Sequence, residues 1–171
     1  MYSPAIQELL GSGDRLIPLV ASGGASVRID PAIFADCRYP AGALAGAYTY
    51  FSDFENAHKI AQDDHSLEGS YWHGILHRQE PDAFNAGYWF RRVPRHPIFA
   101  DLAAAAAEIV TKYPSCGFRA SEKWDPQAFI EFCETARRKP GSDAEQAALE
   151  IQLAEWQLLF GYCAGPKGQN I

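Results

Sequence analysis

Long apolar runs are missing from this chain. No stretch approaches the roughly 18 to 20 apolar residues that a membrane-crossing helix needs, and the opening residues MYSPAIQELLGSGD lack the basic start and apolar centre of a secretion signal. Basic excess is missing too. With 15 Lys and Arg against 21 Asp and Glu, the net charge is −6, which leaves no broad positive surface to release counterions from nucleic acid or from an anionic bilayer. A cytoplasmic protein with neither a nucleic-acid nor a membrane partner is the expectation. Paired cysteines are also lacking: Cys37, Cys116, Cys133 and Cys163 are scattered, form no CxxC, and have no histidine at a zinc-ligand spacing. Reduced thiols follow, those of Cys133 and Cys163 packed as small hydrophobes within apolar helical patterns. No glycine-rich phosphate loop, GxSxG elbow or convincing pair of catalytic carboxylates is present. That removes the local signatures of several enzyme classes, while sites assembled from distant residues stay open.

What is present is helical punctuation. At 171 residues and 47% apolar content, the chain can bury the core of one ordinary domain. Ser3 and Pro4 open a short helix that Gly11 closes. The segment RLIPLVASGGASVRID is broken by Pro18 and by Gly23 and Gly24, so it is expected to be irregular, with one helical turn near Leu16 to Val20. Short helical segments follow in DPAIFADC, PAGALAGAYTYF, DFENAHKIAQ, LEGSYWHGILHRQE and DAFNAGYWFRRV. Beyond His96 the elements lengthen: an alanine-rich helix runs up to Pro114, and a second starts with Asp125 as N-cap and Pro126 at its first position. The last opens with Ser142 and Glu145 in capping-box spacing and carries Leu149, Leu153, Trp156, Phe160 and Cys163 on helical period. The loop KYPSCGFRASEKW is long enough to line a site.

Sliding the sequence over itself by 29 positions sets DFENA (53–57) on DAFNA (82–86), Ala45 on Gly74, Tyr48 on His77 and Ile60 on Trp89. Two stacked helical hairpins produce that signal, because small residues let neighbouring helices approach while aromatics fill the gaps. The order Gly74, Ala86, Phe90 and then a proline resembles the tetratricopeptide repeat over about residues 41–97. That resemblance implies an all-α array of antiparallel helical hairpins: two hairpin units in 41–97, longer helices in 97–163, and flanking N- and C-terminal helices, all in one domain of residues 1–171. It also implies an interaction module with a protein or peptide partner. Through GSYWHGILHRQEPDAFNAGYWFRRV, WDPQAFIEFCE and AEWQLLF the chain further resembles a bacterial family of hypothetical proteins, which implies no chemistry.

The stretch from Gly69 to Phe99 gathers the ionisable groups. His73 and His77 lie one helical turn apart and Glu80 extends their row, a set that could hold zinc or another transition metal with a further ligand from Glu68, His96 or the Cys116 loop. Gly74 stands where zinc peptidases carry their basic glutamate. The same residues also fit a packed inter-helix seam, with imidazoles bonded to carbonyls or to Asp82. On the sequence alone that reading is preferred, and no cofactor is predicted. Arg78, Arg92 and His96 could grip a small anionic ligand, or the arginines could pair with Glu80, Asp82 and the acids of the first hairpin. The aromatics, Trp89 among them, recur at the spacing of core residues. The alternative to an interaction module is therefore a small-molecule or metal-dependent protein with its site at His73, His77, Arg78, Glu80, Trp89, Arg92 and His96.

Overall fold

The computed structural model describes residues 2–21 and 27–168, and all of its helices but the one starting at Phe99 begin at a capping side chain or a proline. Helix α1 spans Pro4–Leu10, with the Ser3 hydroxyl accepting from the Ile6 amide. A short 3₁₀ turn at Pro31–Phe34 is capped by Asp30. Then come α2 (Pro40–Tyr50), α3 (Phe54–Asp63), α4 (Leu67–Gln79), α5 (Ala83–Arg91), α6 (Phe99–Lys112), α7 (Pro126–Ala136) and α8 (Asp143–Ala164). The described residues are all-helical and contain no strand. Their only β-type contact is a bridge between Cys37 and Pro166. None of these helices is long and apolar enough to cross a membrane.

The 29-residue offset match in the sequence reflects capping chemistry. Asp53 accepts from the Asn56 amide and side chain at 3.4 and 2.9 Å. Asp82 does the same for Asn85 at 3.1 and 2.6 Å. Each pair satisfies an orphan amide at a helix start, so α3 and α5 open in the same way one repeat apart.

Packing explains why α4 shows no polar face. It lies against α2, α3 and α5, and of its side chains only Leu67 and His77 escape burial. Close approach depends on glycine, as Gly74 and Gly46 show. A Cβ at Gly74 would stand 2.8 Å from the Phe90 ring, and one at Gly46 would stand 2.7 Å from Trp72 and 2.9 Å from Phe160.

Helix α8 is shared by two apolar clusters. Its first half, through Ala144, Ala147, Ala148 and Ile151, joins Leu102, Phe129 and Phe132. Its second half, through Trp156, Leu159, Phe160 and Cys163, joins Phe34, Trp72 and Phe90.

The helical turn expected near Leu16 to Val20 does not form. The segment is irregular and bends at Leu19 and Val20, because its carbonyls bond to side chains instead of to a helix. Gln152 Nε2 donates to Ile17 O and Pro18 O at 2.8 and 3.1 Å, and Gln79 Nε2 donates to Pro18 O at 3.0 Å. Ile17 and Leu19 are thereby held in the core. The break expected at Gly23 and Gly24 lies outside the described residues. All four cysteines are free and buried.

Candidate functional site

Helices α3 and α4 follow one another in the chain and pack together, and three imidazoles meet in their seam. His73 and His77, one turn apart on α4, have parallel rings 4.8 Å apart. His58 reaches across from α3 and stands edge-on to both, at 4.6 and 5.4 Å between centroids. One ring nitrogen from each of the three lies within 4.8 Å of the other two. The shortest edge, His58 Nε2 to His73 Nε2, is 3.1 Å.

Aromatic rings wall the cluster. Trp89 of α5 stacks on His73 at 3.9 Å, and Phe54 stacks on His58 at 5.6 Å. The Arg92 guanidinium lies 5.3 Å from the centre of the Trp89 ring. Glu80, the C-cap of α4, places a carboxylate oxygen 3.0 Å from His77 Nδ1, although the two are not aligned as a hydrogen bond. That carboxylate favours a proton on Nδ1 and leaves the lone pair on Nε2.

The environment opposes positive charge on His58 and His73. Burial, followed by repulsion from His58 and His77, pulls the His73 pKa from 6.5 down to about 4. His58 is lowered as well, by burial first and then by His77, with Glu80 pulling the other way. Neutral imidazole is the form that a borderline-soft metal ion binds, once the Nε2 that donates between His58 and His73 has given up its proton.

The structure divides the residues that the sequence grouped. His73, His77, Glu80, Trp89 and Arg92 are together, and His58 joins them as the third nitrogen donor, while Glu80 turns to His77. Arg78 is elsewhere. It follows His77 by about 100° around the helix, so it faces the core. There it pairs with Glu155 Oε2 at 2.5 Å, not with Glu80, Asp82 or the first hairpin. Tyr71 donates to the other Glu155 oxygen at 3.0 Å, and the guanidinium lies 4.5 Å from the centre of the Phe129 ring. Burial works against the Arg78 charge, but Glu155, Cys133 and Tyr71 together outweigh it and raise the pKa.

His96 also lies apart. Its Nδ1 accepts from the Ile98 amide at 3.4 Å, so Nε2 carries the proton, 3.7 Å from the buried Glu68 carboxylate. Glu68 and His96 thus engage each other and neither reaches the imidazole cluster, while Cys116 packs in the apolar cluster of α6 and α7.

Comparison of the chain with protein-family models, with curated proteins and with solved structures found no match.

Proposed function

We propose that this protein binds a divalent transition metal of the zinc class through His58, His73 and His77. The convergence of three ring nitrogens carries the reading. Zinc bound to imidazoles at about 2.0–2.1 Å in a tetrahedron sets its ligand nitrogens roughly 3.3–3.4 Å apart. The His58–His73 edge of 3.1 Å is already near that spacing. Contraction of the remaining edges falls to His58 and His77, the two partly exposed members.

Three histidines leave a fourth position for water or a small ligand, and a metal in such a site acidifies its water and polarises carbonyl or phosphoryl oxygens. In that arrangement Glu80 is the carboxylate behind His77 that holds its tautomer and ring orientation. Phe54 and Trp89 restrict the approach of water to the cluster.

The expected hairpin array supports a second reading. Packing of α2 on α3 and of α4 on α5, with Gly74 set against Phe90, fits tetratricopeptide-like units and a protein or peptide partner. That reading rests on architecture, whereas the metal reading has a definite constellation of side chains.

The test is metal loading. Protein purified without chelator, or stripped and titrated with Zn²⁺, is expected to hold one equivalent and to melt higher when loaded. Co²⁺ loading should give the visible absorption of a four-coordinate ion. Each of His58→Gln, His73→Gln and His77→Gln should abolish stoichiometric binding while leaving the helical spectrum intact. A wild-type protein that takes up neither Zn²⁺ nor Co²⁺ at micromolar concentration, with an unchanged melting temperature, would refute the proposal.

A further inference from the structure

We infer that a groove centred on Trp124, remote in sequence from the imidazole cluster, binds a small organic anion with a planar apolar body. The groove is built from three adjoining cavities that have Trp124 as their common wall. The largest, 470 Å³, lies between the segment Pro94–Ala100 and Glu122–Trp124. It shares Pro94, Phe99 and Trp124 with a 200 Å³ cavity running to the start of α7, and Lys123 and Trp124 with a 230 Å³ cavity beside Phe118. The largest alone has the size of a small-molecule site.

Three features define the ligand. The first is an unmet donor: Trp124 is 8% exposed, and its indole Nε1–H is buried without a hydrogen-bond partner. An orphan donor of this kind is costly and rare in folded proteins; the Trp124 ring walls all three cavities, so a small shift of the indole is what presents its buried Nε1–H to an acceptor bound there. The second is charge. Arg91, Arg95, Arg119 and Lys123 line the three cavities, against only Glu122 and Asp125. Among the described residues none of these four cations makes an ion pair. Asp125 is committed to the first amides of α7. In a chain of net charge −6 this is a local reversal of sign. The third is shape: Pro94, Pro97, Phe99 and Trp124 offer flat apolar surfaces, which favour a planar partner.

A carboxylate among the cations, with an oxygen accepting from Trp124 Nε1–H and the ring system between the prolines and Phe99, satisfies all three. Buried polar donors give orientation, apolar walls give affinity, and exposed cations give the preference for charge.

The experiment follows the four indole N–H resonances in ¹H–¹⁵N spectra during titration with 2-naphthoate and, separately, with the neutral 2-naphthamide. Trp124→Phe assigns the Trp124 signal and keeps an aromatic ring in its place. Saturable binding of 2-naphthoate with a downfield shift confined to the Trp124 indole is expected, with affinity about tenfold or more weaker in Arg95→Ala/Lys123→Ala, as loss of charged partners implies. Both substituted residues are exposed, so the fold should be retained. Equal binding of the amide, a shift on another indole in place of Trp124, or no saturable shift at millimolar probe would overturn the inference. The imidazole cluster is untouched by these variants, so failure here leaves the metal proposal standing.

Discussion

Residue by residue, the imidazole seam and the Arg78 network place opposite demands on charge. His73 is kept neutral, which ties stability to pH with a definite sign. Its pKa falls from 6.5 unfolded to about 4 folded, so the unfolded chain binds the extra proton first. The folded state is therefore penalised as pH drops from 6.5 towards 4, and the penalty levels off below that. The full window is worth roughly 3 kcal/mol or less. Melting temperatures of the metal-free protein should decline over this range, and His73→Gln should flatten the decline. Arg78 is kept charged, so cutting its partner leaves a buried ion behind. Glu155→Gln and Arg78→Met alone should each cost about 3–5 kcal/mol, while the double variant Arg78→Met/Glu155→Leu should cost clearly less than their sum. Urea unfolding of the three variants checks this. A strictly additive result would mean that the pair is not coupled.

For the elements, close approach of helices is what the glycines provide, and not all of them provide it. Gly46→Ala drives a methyl into Trp72 and Phe160 and should destabilise by about 1–3 kcal/mol despite the better helix propensity of alanine. In Gly161→Ala the nearest atom is the Tyr2 hydroxyl at 3.3 Å, the movable end of a side chain. There the gain in helix propensity, about 0.5–1 kcal/mol, should prevail. Thermal melts of the two variants should shift in opposite directions. Helix starts were legible because Asp53, Asp82, Asp125 and Ser142 announce themselves by local hydrogen bonds. The stretch Leu16 to Val20 was not, because the groups that hold it, Gln79 and Gln152, are far along the chain. His58 is an intermediate case. Its helix was recognised, and a hairpin turning near Ser66 sets residues equally far from the turn opposite each other, which brings His58 to His73. The sequence row through Glu80 drew attention along one helix instead of across two.

For the whole molecule, the all-helical architecture should give a circular dichroism spectrum without a detectable strand component. All four thiols should resist a polar thiol reagent in the native protein and react after denaturation. Burial pushes the Cys133 and Cys163 thiols up, Cys133 to about 12, so little thiolate is available at neutral pH. An intramolecular disulfide would contradict both the burial and the free state seen here. The tertiary contacts that dispersed the sequence-grouped residues, Arg78 to Glu155 and His96 to Glu68, join segments that no local spacing rule connects.

The sharing of α8 between two apolar clusters also bears on how the chain is made. Ribosomal synthesis releases α1 to α7 before α8 exists, so Phe34, Trp72 and Phe90 on one side, and Leu102, Phe129 and Phe132 on the other, emerge without the helix that closes over them. Even Ile17 and Pro18 near the start wait for Gln152 to take their carbonyls. Contacts this distant in sequence slow folding, and nascent chains stalled before Ser142 would display apolar surface of the kind that chaperones engage.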